Sequence, residues 1–139
     1  MINIEYKETV DEELGELINT GFNEFADKNN VVCNYSPFCF IAKENNEVVG
    51  IITGHSYYKE VHIGDLIVLE QHRKKNIGRQ LINAVENYHK GKGLRQITLT
   101  TYSFQAPEFY KKCGFVMEFV REDIEDQKLN KYFFIKWFH

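Results

Sequence analysis

The stretch Arg73-Lys74-Lys75-Asn76-Ile77-Gly78-Arg79 limits what this chain can fold into more than any other. Before it, residues 61–68 form a β-rich run; after it, from about Gly78, apolar residues recur at helical spacing. A strand must therefore end and a helix begin within a few residues that carry four cations. The first amides of a helix point outward without intrahelical partners, and the helix dipole adds partial positive charge there. Such a junction suits a phosphorylated ligand, with Gly78 allowing close approach to the main chain and the basic side chains neutralising charge. Charge alone would fit a solvated surface turn equally well. Placement at a helix start beside Gly78 favours phosphate.

The surroundings sharpen this. At 139 residues and net charge −3 the chain reads as one domain, residues 1–139, with no overall attraction for nucleic acid or acidic membranes. The basic cluster therefore stands out against an acidic background. It lacks the interleaved aromatics of a nucleic-acid patch, and no Gly-Lys-Ser/Thr follows to make a Walker-type loop. Cys33, Cys39 and Cys113 show no metal-ligand spacing, so no metal is expected and a reduced, cytoplasmic setting is the default. No signal peptide or membrane span is expected, since no apolar run nears the ~18 residues a span requires.

Along the chain, residues 2–6 alternate as a half-buried strand would. Thr9 and Glu12 have capping-box spacing ahead of an amphipathic helix over 11–26 carrying Leu14, Leu17, Ile18, Phe22 and Phe25. Residues 27–37 read as a loop, 38–43 and 48–58 as a hairpin turning at 44–47, and 61–68 as a further strand. The helix after the basic loop presents Ile77, Leu81, Ala84, Val85 and Tyr88 on one face, and Gly91 and Gly93 end it. A strand over 96–101 follows, then a short helix over 107–113 stopped by Gly114, then strands over 115–121 and 131–138.

Two motifs give the chain a resemblance. Residues 68–78 fit a strand-loop-helix pyrophosphate signature whose core is Gln or Arg, two residues, Gly, one residue, then Gly or Ala. Phe109-Tyr110-Lys111-Lys112-Cys113-Gly114-Phe115 fits an aromatic-Tyr pair before a Gly-Phe exit from a short helix. Together, and in this order of elements, they resemble the GCN5-related N-acetyltransferases over essentially the whole chain. Asn76 replaces the first glycine of the signature, and it is the non-glycine residue best able to hold left-handed backbone angles. The asparagine usual before the short helix is also missing; Phe104-Gln105-Ala106-Pro107 stands there, with Gln105 as a substitute amide.

The resemblance implies a single α/β domain, a mixed and mostly antiparallel twisted sheet with helices on both faces. It also implies acetyl-coenzyme A as cosubstrate, transferring acetyl to an amine by direct attack. Leu66, Ile67 and Val68 would offer backbone groups to the pantetheine arm and the acetyl carbonyl, where an N–H stabilises growing oxyanion charge; ordinary strand packing explains their side chains as well. Arg73, Lys74, Lys75, Asn76, Ile77, Gly78 and Arg79 would hold the diphosphate. Tyr110 would donate a hydrogen bond or proton to the departing thiol, unless it is simply a core tyrosine. A phenol near pKa 10 protonating a thiolate near 8.5 runs uphill by about 2 kcal/mol, so stabilisation of the thiolate is the lesser demand.

An attacking ammonium must lose a proton. Strict strand alternation groups His62 with Gly64, Leu66 and Val68, on the side of the acetyl group, and its ordinary pKa suits neutral pH. Glu60 and Asp65 are alternatives, as are a surface histidine and no dedicated base at all. The acceptor would enter over the first helix and the 27–37 loop, where Glu24, Asp27, Tyr35, Tyr57 and Tyr58 would favour a cation. A small-molecule amine is expected, with a protein lysine or N-terminus, or a non-catalytic coenzyme A-binding module, as alternatives. The cysteines read as packing residues. A homodimer through the last two strands is compatible with this reading, although no residue pattern calls for it.

Overall fold

A computed structural model describes residues 1–138, which divide into two compact units, one of residues 1–33 and the other from Asn34 onward. The first unit holds helix α1 (Glu12–Lys28). Its N-cap is Asp11, whose Oδ1 accepts the Leu14 amide at 2.9 Å, so the cap lies two residues beyond the expected Thr9. A carboxylate is the stronger acceptor for first-turn amides, and Glu12 and Glu13 add to the dipole match. The strand expected over residues 2–6 does not form. Alternation marks a segment able to join a sheet, but a strand exists only once a ladder partner takes its backbone groups.

The second unit is a six-stranded sheet of β1 (Ser36–Glu44), β2 (Glu47–Tyr57), β3 (Glu60–Val68), β4 (Gln96–Tyr102), β5 (Val116–Arg121) and β6 (Lys131–Trp137). The strand order is β1-β2-β3-β4-β6-β5, and every neighbouring pair is antiparallel except β3 with β4. The expected α/β class on a mixed, mostly antiparallel sheet is the one observed. Asn45 and Asn46, both left-handed at φ 52° and 66°, close the β1–β2 hairpin with the twist such turns require. Helix α2 (Ile77–His89) joins β3 to β4, and α3 (Pro107–Lys112) joins β4 to β5. Among the described residues no helix is long and apolar enough to cross a membrane.

The core lies between one face of this sheet and α2 and α3. Ile52, Val61, Ile63, Ile97, Leu99 and Phe134 meet Leu81, Ile82 and Val85 of α2 and Tyr110 of α3. Each of the fully buried aliphatics contributes roughly 1.5–3 kcal/mol through removal from water. The buried stripe of α2 runs through Leu81, Ile82, Val85 and His89, while the expected Tyr88 is 52% exposed. Lys136 of β6 ties the layers together, its Nζ 2.6 Å from Glu86 Oε1 on α2 and 2.8 Å from the Cys113 carbonyl. Gly114, at φ +94°, ends α3 as expected.

One irregularity in β3 decides the site. Thr53 pairs with Asp65 and Gly54 with Ile63, so Gly64 is an extra residue, a β-bulge. Gly54 opposite leaves room for it, because a side chain there would run into the His62 carbonyl and the Phe38 ring. The extra residue reverses the alternation. Leu66 packs on the core with Val61 and Ile63, whereas Ile67 is 53% exposed. His62 therefore shares its face with Asp65 and Ile67, not with Leu66 and Val68 as strict alternation predicts.

Candidate active site

β3 and β4 are held together by three register pairs alone, Glu60 with Gln96, Val61 with Ile97 and His62 with Thr98. Beyond them the strands part. Residues 65–68 remain paired to β2 on one side, but their other edge faces a cleft whose far wall includes Thr100 and Thr101 of β4. Backbone N–H and C=O groups on that edge have no strand partner and are available to an extended ligand. The cleft holds about 870 Å³. The expected Leu66, Ile67, Val68, Arg73, Lys74, Asn76, Ile77, Gly78, Arg79, Gln105 and Tyr110 all line it.

The floor of the junction is built by the loop between β3 and α2. Asn76 takes left-handed angles, φ 65° and ψ 15°, as the substitution for glycine demands. Lys74 is left-handed too, at φ 68°, which was not foreseen. No side chain caps α2, and the first hydrogen-bonded amide of the turn is that of Gln80, to the Asn76 carbonyl. The amides of Ile77, Gly78 and Arg79 thus open on the cleft without an internal partner. Gly78 has a second reason to be glycine. A Cβ there would lie 2.9 Å from Phe109 Cζ, so its smallness lets α3 close against α2.

The cations are placed unevenly. Arg73 donates through Nε to the Val68 carbonyl at 3.1 Å, and Arg79 through Nη2 to the Lys112 carbonyl at 2.8 Å. Both line the cleft while bracing its walls. Lys75 instead turns to Glu44, 3.4 Å away, and does not line the cleft. Lys112 and His72 line it as well, although neither was anticipated. Gln105 accepts the Tyr102 amide through Oε1 at 2.9 Å, so its carbonyl end closes the turn after β4 and only its amide nitrogen is left to face a ligand.

Tyr110 is 8% exposed, its ring 5.2 to 6.2 Å from those of Phe109, Phe115 and Phe134. Among the described residues no buried polar side-chain atom lacks a partner, and among them the phenol has no hydrogen-bonding partner. Its hydroxyl is therefore reached from the cleft that the residue lines. Burial, with the Cys113 thiol adding to it, pushes its pKa up to about 12. Cys113 is buried and its own pKa is raised, first by burial, as befits a packing residue; Cys39 is exposed.

His62 does not line the cleft; it stands at the apex where the strands part, one bulge residue and Ile63 away from Asp65, which does. Its Nδ1 is 2.9 Å from Thr98 Oγ1, and its ring is 5.7 Å from that of His55. Burial first, then His55, lowers its pKa below the ordinary histidine value against the pull of Glu60. Asp65 accepts the Thr53 hydroxyl at 3.1 Å. Glu60 is occupied from both sides, by Gln96 and by Thr98. Thr98, Thr100 and Thr101 escaped the sequence reading because nothing local marks where two strands diverge.

Comparison with known proteins agrees with this geometry. The acetyltransferase (GNAT) family model matches residues 5–115. An acetyltransferase from Bacillus cereus ATCC 14579 is 30% identical, with 96% of this chain covering 98% of that one at a TM-score of 0.77. An aminoglycoside 6'-acetyltransferase type Ii shares the fold at 23% identity, 91% of this chain covering 80% of that one, TM-score 0.65. So does an aminoglycoside 6'-N-acetyltransferase complexed with coenzyme A, at 20% identity, 95% and 81% coverage and TM-score 0.62. A splayed β3–β4 pair, an uncapped helix start and a tyrosine within one cleft, together with a family match over most of the sequence, place this chain in the GNAT acetyltransferase family.

Proposed function

We propose that the protein transfers acetyl from acetyl-coenzyme A to the primary amine of a small molecule. The observation that carries this reading is the single cleft shared by the unpaired edge of β3, the uncapped amides of residues 77–79 and Tyr110. The residues present fit coenzyme A. Free amides with Lys74 and the two arginines suit a diphosphate, and an open strand edge suits an amide-containing arm laid alongside it. Gln105 would add its amide nitrogen.

When bound, the cosubstrate supplies a thioester whose carbonyl accepts the amine lone pair and whose sulfur leaves as thiolate. Amides on the edge of β3 near Leu66 and Ile67 would hydrogen-bond the carbonyl oxygen as charge grows on it. Tyr110 would donate to the leaving sulfur. His62, kept neutral by burial, would take the ammonium proton, through water, from the face opposite α2. Asp65 is a second reading for the base, favoured by its place in the cleft wall.

The aminoglycoside enzymes named above share the fold, which favours a small acceptor. A panel of polyamines, aminoglycosides and amino-terminal or lysine peptides, followed by thiol release from acetyl-coenzyme A, tests the assignment. Turnover on a small amine and none on peptides is expected. Peptide turnover alone would transfer the activity to proteins. No turnover, together with coenzyme A stabilisation of the fold, would leave a binding module. His62→Gln and Asp65→Asn then separate the two bases.

A further inference from the structure

We infer that Thr98 and Glu60 form a positioning relay that locks His62 in the tautomer with its proton on Nδ1, leaving the Nε2 lone pair free. The atoms leave one arrangement. Thr98 Oγ1 lies 2.9 Å from Glu60 Oε2, and a carboxylate can only accept, so the hydroxyl spends its one hydrogen there. Thr98 Oγ1 also lies 2.9 Å from His62 Nδ1. With its hydrogen committed, that oxygen can only accept, and Nδ1 must carry the hydrogen between them. Gln96 donates to the other Glu60 oxygen at 3.0 Å, which fixes the carboxylate and prevents it from swinging away.

The placement gives the relay a purpose. All four side chains stem from the register pairs that hold β3 to β4, at the apex of the cleft. An unconstrained imidazole favours the opposite tautomer, with Nε2 protonated and useless as an acceptor. Here the ring is turned into a base with its basic nitrogen directed away from Thr98. As Nε2 takes a proton, the charge that spreads to Nδ1–H meets an oxygen already polarised by Glu60, the role a carboxylate plays behind a catalytic histidine elsewhere. The charged or titratable groups facing His62 are Glu60 and Asp65 on its own strand and His55 on β2; β4 contributes only neutral Thr98 and Gln96.

The functional half of this inference rests on His62 being the base; the tautomer does not, so the two can fail separately. Long-range ¹H–¹⁵N correlation of the labelled protein at pH 7.5 reads tautomers directly, and His62→Gln identifies the His62 signal among the five histidines. The wild type should show Nδ1–H. Thr98→Val should move His62 towards Nε2–H and lower kcat about tenfold, the equivalent of one lost hydrogen bond. Thr98→Ser, which keeps the hydroxyl, should restore both. A wild-type Nε2–H tautomer overturns the relay, and so does a Thr98→Val protein that folds with its tautomer unchanged. Should Thr98→Val not fold, the wild-type spectrum still decides. An Nδ1–H tautomer beside full activity in His62→Gln would sustain the lock while removing His62 from the reaction.

Discussion

Replacing Tyr110 by Phe tests the proposed chemistry most sharply, because the structure separates its hydroxyl from its packing. The ring sits among Phe109, Phe115 and Phe134, and a phenylalanine keeps all of those contacts. The hydroxyl has no hydrogen-bonding partner among the described residues, so its loss leaves no orphaned group there and should move the melting temperature little. Its pKa of about 12 sets the size of the kinetic effect. Against a thiol near 8.5 the gap corresponds to roughly 5 kcal/mol against complete proton transfer, more than twice the cost expected for an unburied phenol. Tyr110 should therefore act as a hydrogen-bond donor to developing thiolate, an interaction of about 1.5–3 kcal/mol. That predicts a fall in kcat of about 10- to 150-fold, with coenzyme A affinity nearly unchanged. Thiol release with the best amine of the panel measures the first, and isothermal titration of coenzyme A the second. The donor is lost only as pH rises through about 12, so the parent enzyme should show no alkaline decline attributable to Tyr110 below about pH 11. A variant within threefold of the parent would refute the assignment; so would a tenfold loss of coenzyme A affinity, which would make Tyr110 a binding residue.

Three further outcomes follow from the packing. Gly78→Ala sets a methyl 2.9 Å from Phe109 Cζ and 3.3 Å from Cε1, so overpacking of about 1–3 kcal/mol competes with about 1 kcal/mol of gained helix propensity. Because Phe109 precedes Tyr110, kcat should drop more than the melting temperature does, and a more stable variant with unaltered kcat would count against α3 being held by that contact. Coenzyme A alone, at about a hundred times its Kd, should stabilise the fold by about 2.7 kcal/mol in a thermal-shift assay, and no shift would refute the diphosphate site. His62 and His89 both have pKa values lowered, each chiefly by burial. For such groups the unfolded chain binds the proton more readily, so their contribution is complete above the ordinary histidine value and fades as pH falls through it towards the depressed one. Urea midpoints should decline from pH 7.5 downwards, and His89→Gln should decline less steeply; an equal slope would show that His89 plays no part.

What the sequence disclosed and what it hid divide along a physical line. Local backbone chemistry was legible. Asn76 in left-handed geometry, the turn at Asn45-Asn46, the ends at Gly91, Gly93 and Gly114, and the strand-loop-helix junction all follow from rules about a few adjacent residues. Features that depend on distant partners were not. The bulge at Gly64 breaks the period of two that placed His62 beside Leu66, and one extra residue carries every later side chain to the other face. Residues 2–6 have strand alternation without a ladder to join. Gly78 reads as a phosphate glycine until the Phe109 ring, 31 residues further on, is seen against it. Gln105 reads as a ligand amide until Tyr102 is found bonded to its oxygen.

The bulge also explains how binding and proton transfer can be kept apart on one strand. After Gly64 the side chain of Leu66 packs on the core, which ties the position of the open β3 edge to aliphatic contacts. Before it, His62 faces the other way, towards His55 and Thr98, and Asp65 and Ile67 resume that direction beyond it. A thioester held along the edge would thus be anchored by groups belonging to the buried face while presenting its carbonyl towards ionisable groups of the opposite one. Without the extra residue, Leu66 would leave the core and Asp65 would enter it. A carboxylate buried among aliphatics costs several kcal/mol, so the register that positions the site is also the register that lets the sheet fold.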